Sequence, residues 1–141
     1  MNEAIIFDID GTICSSKDRL YHIDGQYKDW DKFHEESKNS GKIENIVEIL
    51  YLLSRKYDIL LFTGRPEKYK ELTERWLYVY NIEYDHLFMR PDDNYEKASI
   101  LKEKWLNIVT KKSNIIAAFE DDTNCINMYR ANGITCLEVK E

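Results

Sequence analysis

The sequence has few cysteines, and none of them is arranged in a way that would hold a metal or a disulfide framework. Only three occur, at Cys14, Cys125 and Cys136, and no two of them form a Cys-X-X-Cys pair. An odd and widely spaced set argues against a zinc site and against a disulfide-stabilised secreted domain. We therefore expect three reduced thiols in a cytoplasmic protein.

Other absences exclude further classes of protein. No apolar run approaches the length of a membrane span, so we expect no membrane association. The net charge of -6 argues against a surface that coats nucleic acid, although it leaves room for a local basic groove. No Gly-X4-Gly-Lys-Ser/Thr motif occurs, so the chain carries no kinase-type phosphate loop.

Apolar and amphipathic segments alternate along the chain. With 141 residues, 43% of them hydrophobic, the length fits one domain over residues 1–141. Strand-then-helix alternation predicts an α/β fold, a three-layer Rossmann-like parallel sheet covered by helices on both faces. The predicted strands are 3–8, 59–62, 86–89, 115–119 and 134–139, and the predicted helices are 43–56, 67–80, 95–109 and 123–132.

Residues 13–42 differ in kind from the rest and predict a small cap insert after the first strand. The segment is polar and aromatic, with a short helix indicated around Trp30, Phe33 and Ser37. Its aromatic side chains could stack on a base, namely Tyr21, Tyr27, Trp30 and Phe33. Its cationic side chains could meet a backbone phosphate, namely Lys17, Arg19 and His22. The alternative for Trp30 and Phe33 is a hydrophobic plug that fastens the insert to the core.

Polar clusters follow three of the predicted strands. Asp8 and Asp10 follow the first, Thr63-Gly64-Arg65 the second, and Glu120-Asp121-Asp122 the fourth. In parallel α/β sheets the carboxyl ends of the strands meet at one edge, and ligands bind there. The sequence therefore predicts one site built from three strand ends.

The residue types at these strand ends indicate phosphoryl chemistry. Converging carboxylates repel one another unless a cation lies among them, and oxygen-only ligands favour Mg²⁺. An acid held beside such an ion can attack phosphorus and form an aspartyl-phosphate. A second acid two residues later can protonate the leaving alcohol and then activate water.

These motifs resemble those of the haloacid-dehalogenase (HAD) superfamily of phosphotransferases. Asp8-Ile9-Asp10-Gly11-Thr12 resembles its Asp-X-Asp-Gly-Thr signature, Thr63-Gly64-Arg65 its second motif, and Glu120-Asp121-Asp122 its acidic fourth motif. Within the superfamily the chain is most similar to the 3'-phosphatase domain of phage polynucleotide kinase/phosphatase. That likeness covers nearly the whole chain and includes Met89-Arg90 and the helix that carries Lys102-Glu103.

The resemblance implies a role for each motif residue. Asp8 would be the nucleophile, and Asp10 the general acid and base. Thr63 would hold a phosphoryl oxygen. Lys102 would neutralise charge at Asp8 and at the phosphate, with Lys97 as the alternative.

The resemblance also implies how substrate and metal are held. Thr12, Gly64 and Arg65 would bind substrate, although Arg65 could instead pair with an acid of the site. The ligands of Mg²⁺ would be Asp8, Asp10 through its backbone carbonyl, and Asp121. Three acids in a row leave open whether Glu120 or Asp122 joins Asp121, and Asp122 could instead cap the following helix.

The expected function is a Mg²⁺-dependent phosphomonoester hydrolase that acts through an aspartyl-phosphate and removes 3'-phosphate from DNA or RNA ends. The alternatives are the same chemistry on nucleotides or other small phosphorylated metabolites, and a non-catalytic binding domain on the same fold. Because the kinase motif is missing, we expect a phosphatase module that acts either alone or beside a separate kinase or ligase.

Overall fold

Five parallel strands form the central sheet of the computed structural model, which describes all 141 residues. The strand order is β3-β2-β1-β4-β5, so the first strand of the chain lies in the middle. Parallel neighbours require crossover connections, and a helix lies in each of them. The strands are β1 (Asn2–Phe7), β2 (Asp58–Pro66), β3 (His86–Arg90), β4 (Ser113–Glu120) and β5 (Cys136–Glu138).

Helices cover both faces of the sheet, and strand alternation divides the apolar side chains between them. Ile5 and Phe7 of β1 pack on one face, and Ala4 and Ile6 pack on the other. None of the helices is both long and apolar enough to cross a membrane. Helices α2 (Glu44–Ser54) and α3 (Lys70–Val79) cover the first face, helices α4 (Ala98–Val109) and α5 (Thr123–Ala131) the second, and α1 (Trp30–Glu35) lies in the insert.

The predicted α/β architecture is confirmed, with differences at individual positions. Helical periodicity predicts that Val79 shares the inward face of Trp76 and that Ile108 shares that of Trp105, but the two residues are 61% and 54% exposed. In α3 the buried stripe runs through Thr73, Trp76 and Leu77, because the 3.6-residue period carries the buried face past Val79. In the same way α4 buries Trp105 and then Val109 on the next turn, which leaves Ile108 on the flank. Both tryptophans of these helices, Trp76 and Trp105, lie in the core as their periodicity indicates.

Strand β2 continues farther than its apolar run. The sequence places a turn at Thr63-Gly64-Arg65, but β2 extends to Pro66. Its pairing with β3 is irregular between Thr63 and Pro66. The polar residues at this end therefore belong to the strand itself, which gives them a fixed backbone beside the central strand.

The segment 13–42 forms a small cap held against the sheet edge. It contains two 3₁₀ turns, Leu20–His22 and Glu36–Asn39, on either side of α1. Asp29 caps α1 by accepting a hydrogen bond from the Lys32 amide at 3.0 Å. Trp76 in α3 donates its indole N–H to the Ser40 carbonyl at 2.8 Å, which ties the cap to the core.

The two aromatic residues of α1 have different environments. Phe33 is buried and lies 4.5 Å beneath the Arg19 guanidinium, as a hydrophobic plug would. Trp30 remains 48% exposed and packs edge-on against Phe33. The plug interpretation therefore fits Phe33, whereas Trp30 still faces solvent in part.

Candidate active site

The sheet brings the three polar clusters to one edge. Phe7 in the central strand pairs with Leu61 of β2 on one side and with Phe119 of β4 on the other. The residues that follow, Asp8, Thr63 and Glu120, consequently line a single cleft of about 1020 Å³. The cap forms the opposite wall of this cleft. The predicted convergence of three strand ends is what the structure shows.

Asp8 lies at the base of the cleft and is engaged at both carboxylate oxygens. Thr12 donates its hydroxyl to Asp8 Oδ2 at 3.1 Å, and Lys102 Nζ donates to Oδ1 at 2.9 Å. Lys102 also donates to Glu120 Oε1 at 2.6 Å. Asp8 is therefore oriented by a hydroxyl and a cation before any substrate arrives.

Lys102 is a buried cation. Burial alone would lower its pKa, but the carboxylates of Asp8 and Glu120 hold the pKa of Lys102 well above its usual value. Lys97, the alternative from the sequence, is the exposed residue that precedes α4 and makes no ion pair. The structure thus brings Lys102, not Lys97, into contact with Asp8.

Gly11 has a backbone that no other residue would adopt without strain. Its φ is +82°, in the left-handed region. A Cβ built there would lie 2.1 Å from Asp121 Oδ2. Two independent features therefore require glycine at position 11: the left-handed backbone of the turn and the close approach of the Asp121 carboxylate.

Three carboxylates form a cluster that could hold a cation. One oxygen each from Asp8, Glu120 and Asp121 lies within 4.8 Å of the others. Burial, reinforced by the charge of Asp8, raises the pKa values of Glu120 and Asp121. Such repulsion is what a divalent ion relieves, and an all-oxygen donor set fits Mg²⁺. The backbone carbonyl of Asp10 accepts no hydrogen bond from the protein and is free for a ligand.

The three consecutive acids have different environments. Glu120 is buried, and its second oxygen accepts the amides of Asp121 and Asp122 at 3.0 and 3.3 Å. Asp122 caps α5 by accepting the Cys125 amide at 3.0 Å. The Asp121 carboxylate accepts no hydrogen bond from the protein, which leaves its oxygens available. Glu120 therefore organises the cluster, and Asp122 holds the helix end.

Asp10 is not part of this cluster, although it lines the same cleft, and its carboxylate contacts two buried arginines. Arg65 contacts it in a fork, with Nε to Oδ2 at 2.9 Å and Nη2 to Oδ1 at 2.7 Å. Arg19 from the cap adds a third contact at 2.8 Å. Burial alone would raise the pKa of Asp10, but the two guanidinium groups hold that pKa well below its usual range.

The second motif is fixed by its own strand and by its neighbours. Thr63 is buried, and its hydroxyl accepts the Arg65 amide at 3.2 Å. Arg65 is wholly buried and pairs with Asp10, which is the structural alternative that the sequence left open. Its contact with substrate stays a prediction. Arg90 donates to the Gly64 carbonyl at 2.9 Å and so braces the motif from β3.

Sequence reasoning did not identify Arg19 as a partner of Asp10. It considered Arg19 only as a possible phosphate contact, because the surrounding polar insert gives no sign that the side chain is buried. In the structure Arg19 is 1% exposed and bonds Ser40, the Phe33 carbonyl and Asp10. Only the folding of the cap over the strand end brings it there.

His34 in α1 also lines the cleft without adding charge to it. Its ring is buried among aromatic neighbours, and its Nδ1 makes no hydrogen bond. Burial lowers the pKa of His34 to about 4, so the imidazole is neutral at pH 7. The net charge of the cleft therefore comes from its carboxylates, lysines and arginines.

Comparison with known proteins agrees with this geometry. The family described as polynucleotide kinase PNKP phosphatase domain matches residues 2–141. A protein of Autographa californica nuclear polyhedrosis virus, described as a putative bifunctional polynucleotide kinase/RNA ligase, is 28% identical over 130 residues, covering 90% of this chain and 18% of that protein.

Solved structures share the fold over nearly the full chain. A chain of the Pnkp1/Rnl/Hen1 RNA repair complex aligns with a TM-score of 0.85 and 26% identity, over 99% of this chain and 42% of that one. A HAD hydrolase from Bacillus subtilis, solved with magnesium, aligns with a TM-score of 0.64 and 11% identity, over 96% of this chain and 87% of that one. This chain thus spans less than half the length of the polynucleotide-repair relatives it matches.

The family match and the site point to the same chemistry. Asp8, Glu120 and Asp121 lie together at the carboxyl ends of adjacent parallel strands, where ligands bind in α/β folds, and Lys102 contacts Asp8 from α4. The expectation of an enzyme is confirmed, against the alternative of a non-catalytic binding domain. The chain belongs to the family of polynucleotide kinase PNKP phosphatase domains and is a HAD-type phosphatase.

Proposed function

We propose that this phosphatase removes phosphate from the 3' ends of polynucleotides, with Mg²⁺ and through an aspartyl-phosphate on Asp8. The observation that carries the proposal is the position of Asp8, held by Lys102 and Thr12 beside the cluster it forms with Glu120 and Asp121. A carboxylate so placed can attack the phosphorus atom of a bound phosphomonoester, because neighbouring cations offset the negative charge of the phosphoryl oxygens.

Asp8, Asp121 and the backbone carbonyl of Asp10 are the groups that would hold the ion. Bound there, Mg²⁺ neutralises charge on the phosphoryl oxygens and on the carboxylates. Lys102 contributes a second, fixed positive charge beside Asp8. Thr63 lines the cleft, and its hydroxyl would donate a hydrogen bond to a phosphoryl oxygen.

In the first step an oxygen of Asp8 attacks phosphorus, a bond from Asp8 to phosphorus forms, and the bond from phosphorus to the leaving oxygen breaks. Asp10 passes to that oxygen the proton that the singly protonated phosphomonoester brings, and the alcohol leaves. In the second step Asp10 takes a proton from water, the water oxygen bonds to phosphorus, and the bond to Asp8 breaks. Phosphate leaves, Asp10 releases its proton to solvent, and both Asp8 and Asp10 are restored.

The arginine pair sets the resting state of Asp10. Because Arg19 and Arg65 hold its pKa low, Asp10 is ionised before substrate binds. An ionised carboxylate is ready to accept a proton from water in the second step. For the first step the proton must arrive with the substrate, and a phosphomonoester in its singly protonated form supplies one.

The polynucleotide substrate is supported by the relatives and by the shape of the cleft. The matched relatives are described as a putative polynucleotide kinase/RNA ligase and as part of an RNA repair complex. The cap contributes only one short α-helix and leaves the cleft open at about 1020 Å³. We further propose that a separate kinase or ligase acts on the ends that this chain produces.

A substrate panel tests the proposal. Release of phosphate is measured from 3'-phosphorylated and 5'-phosphorylated DNA and RNA oligonucleotides and from mononucleotides, with Mg²⁺ and with a chelator. We expect turnover of the 3'-phosphorylated oligonucleotides that the chelator abolishes, and no turnover by Asp8→Asn, which lacks the nucleophile. Mononucleotides turned over at least as well as oligonucleotides would favour the small-metabolite alternative and overturn the polynucleotide assignment.

A further inference from the structure

We propose that Tyr27 and Tyr95, together with Lys28 and Lys97, form a subsite that binds the nucleotides preceding the 3'-terminal one. The proposal rests on the proposed 3'-end substrate and assigns that substrate a second binding region. Its consequence is that affinity depends on the length of the strand, beyond the nucleotide that carries the phosphate.

Tyr27 and Tyr95 are exposed aromatic residues on the walls of the catalytic cleft. They are 89% and 90% exposed, and both line the same cleft as Asp8. Neither ring packs on another aromatic ring, and neither hydroxyl is hydrogen-bonded within the protein. Because neither ring is engaged in the core, both are free to contact a ligand that enters the cleft.

The other aromatic candidates of the cap are already engaged. Phe33 is buried beneath Arg19, and Trp30 packs on Phe33 and His34. Tyr21 lies against the His22 ring and does not line the cleft. Tyr27 is therefore the cap aromatic that remains free for a base.

The backbone on either side of Tyr95 is held by hydrogen bonds, and Tyr27 lies two residues before the N-cap of α1. Tyr95 lies between Asn94 and Glu96, and Arg90 donates to the carbonyl of each, at 3.3 and 2.6 Å. Tyr27 precedes the segment where Asp29 caps α1. Stacking platforms held in place in advance lose little entropy when a strand binds.

A lysine accompanies each tyrosine and lacks an ionic partner. Lys28 and Lys97 are exposed, line the cleft and form no ion pair. Acidic side chains nearby are mostly engaged: Asp31 pairs with Lys68, and Glu96 pairs with Lys104. Asp93 is the exposed acid of the rim that no hydrogen bond engages. The two lysines are therefore available for phosphates of the backbone.

The cleft is larger than a phosphoryl group needs. Pockets for small ligands measure about 300–1,000 Å³, and this cleft, at about 1020 Å³, lies at the upper end of that range. The transferred phosphoryl group fills only the part beside Asp8. The remainder, between the cap and the loop that precedes α4, has an aromatic ring and a cation on each wall, the combination that single-stranded nucleic acid binds.

The first test compares substrates of increasing length. A nucleoside 3'-monophosphate and 3'-phosphorylated oligonucleotides of two, three and five nucleotides are assayed with wild type and with the double variant Tyr27→Ala/Tyr95→Ala. Stacking on an aromatic residue strengthens binding at least about fivefold per base. We expect the wild-type KM to fall by that factor on lengthening and the double variant to lose the gain, with turnover of an aryl phosphate unchanged. Tyr78→Ala, an equally exposed tyrosine outside the cleft, is the matched control.

The second test concerns charge. Lys28→Ala/Lys97→Ala should weaken the salt dependence of kcat/KM for the five-nucleotide substrate, by roughly 0.7 in log–log slope for each phosphate that the variant no longer neutralises. Lys111→Ala, an exposed lysine outside the cleft, should leave that slope unchanged.

The outcomes separate this inference from the proposed function. Turnover of aryl phosphate without turnover of any 3'-phosphorylated oligonucleotide would overturn the proposed substrate, and the subsite with it. Efficient 3'-dephosphorylation with the same KM at every length would overturn the subsite alone. So would a tyrosine double variant whose KM for the five-nucleotide substrate matches that of wild type and of Tyr78→Ala.

Discussion

Lys102 Nζ lies 2.9 Å from Asp8 Oδ1, although 94 positions separate the two residues in the chain. The contact forms because β1 ends at the centre of the sheet and α4 packs along one face with Lys102 on its buried side. The same ammonium group bonds Glu120, so a single cation links the carboxylates of Asp8 and Glu120.

Replacement of this lysine should be far more costly than replacement of its rival. Lys102→Ala leaves the carboxylates of Asp8 and Glu120 buried without their cation. A broken buried pair costs about 3–5 kcal/mol in the free energy of unfolding, and turnover should fall with it. Lys97→Ala removes an exposed side chain and should leave aryl phosphate turnover and stability near wild type. Urea unfolding and steady-state kinetics measure both, and a larger kcat loss in Lys97→Ala would reverse the assignment.

Asp10→Asn should reduce both turnover and stability. The variant cannot accept a proton from water, so an aspartyl-phosphate on Asp8 should persist, which acid quench and mass measurement detect. It also leaves Arg19 and Arg65 buried without a carboxylate, at about 3–5 kcal/mol by urea unfolding at pH 7. Wild-type stability at pH 7 with no accumulated intermediate would contradict the assigned role.

The stability supplied by Asp10 should persist to low pH. Its folded pKa is lowered, so its contribution is complete above the unfolded value of about 3.9 and is lost only as pH falls through the lower folded pKa. The difference in unfolding free energy between wild type and Asp10→Asn should therefore be constant from pH 7 to about 5 and should shrink below about 4. A difference already halved at pH 6 would exclude this pairing.

Gly11→Ala should damage the site through Asp121. The new methyl group would meet Asp121 Oδ2, and the residue would have to keep a φ of +82°. We expect a loss of at least about 1 kcal/mol of stability and weaker binding of Mg²⁺, measured by calorimetry. Gly25→Ala is the matched control, because a Cβ at Gly25 meets nothing within 4 Å. If the two variants bound Mg²⁺ with equal affinity, the prediction would be wrong, because a displaced Asp121 carboxylate would not weaken the metal site.

Mg²⁺ should raise the Tm more at pH 8 than at pH 5. The folded pKa values of Glu120 and Asp121 lie above their unfolded values, so the metal-free fold loses stability as pH rises and these groups ionise. A bound divalent ion relieves the repulsion among ionised carboxylates, whereas protons compete with it at low pH. Thermal unfolding with and without Mg²⁺ at the two pH values measures the difference. An Asp121→Asn variant should lose most of the gain at pH 8.

Residue order was enough to locate the strands, their approximate ends and the acidic site. Apolar runs followed by acids or by Thr63-Gly64-Arg65 mark strand ends because a buried strand tolerates those residues only where it meets a site. Lys102 was the preferred lysine on the resemblance of its helix to the family, with Lys97 left open until the structure showed which one contacts Asp8. The outward positions of Val79 and Ile108 were missed because periodicity does not fix which flank of a helix a neighbour covers.

The partners of Asp10 and the separate purposes of the three acids could be established only from the folded chain. Contacts between segments distant in sequence bury Arg19 and bring the Asp121 carboxylate close to Gly11. Such packing also gives Glu120, Asp121 and Asp122 their different environments. Local sequence does not encode the strand order that places β1 between β2 and β4, and that order creates these contacts. Asp8-Ile9-Asp10 therefore indicated the chemistry, and the packing of the cap and of α4 around it set how each acid is charged.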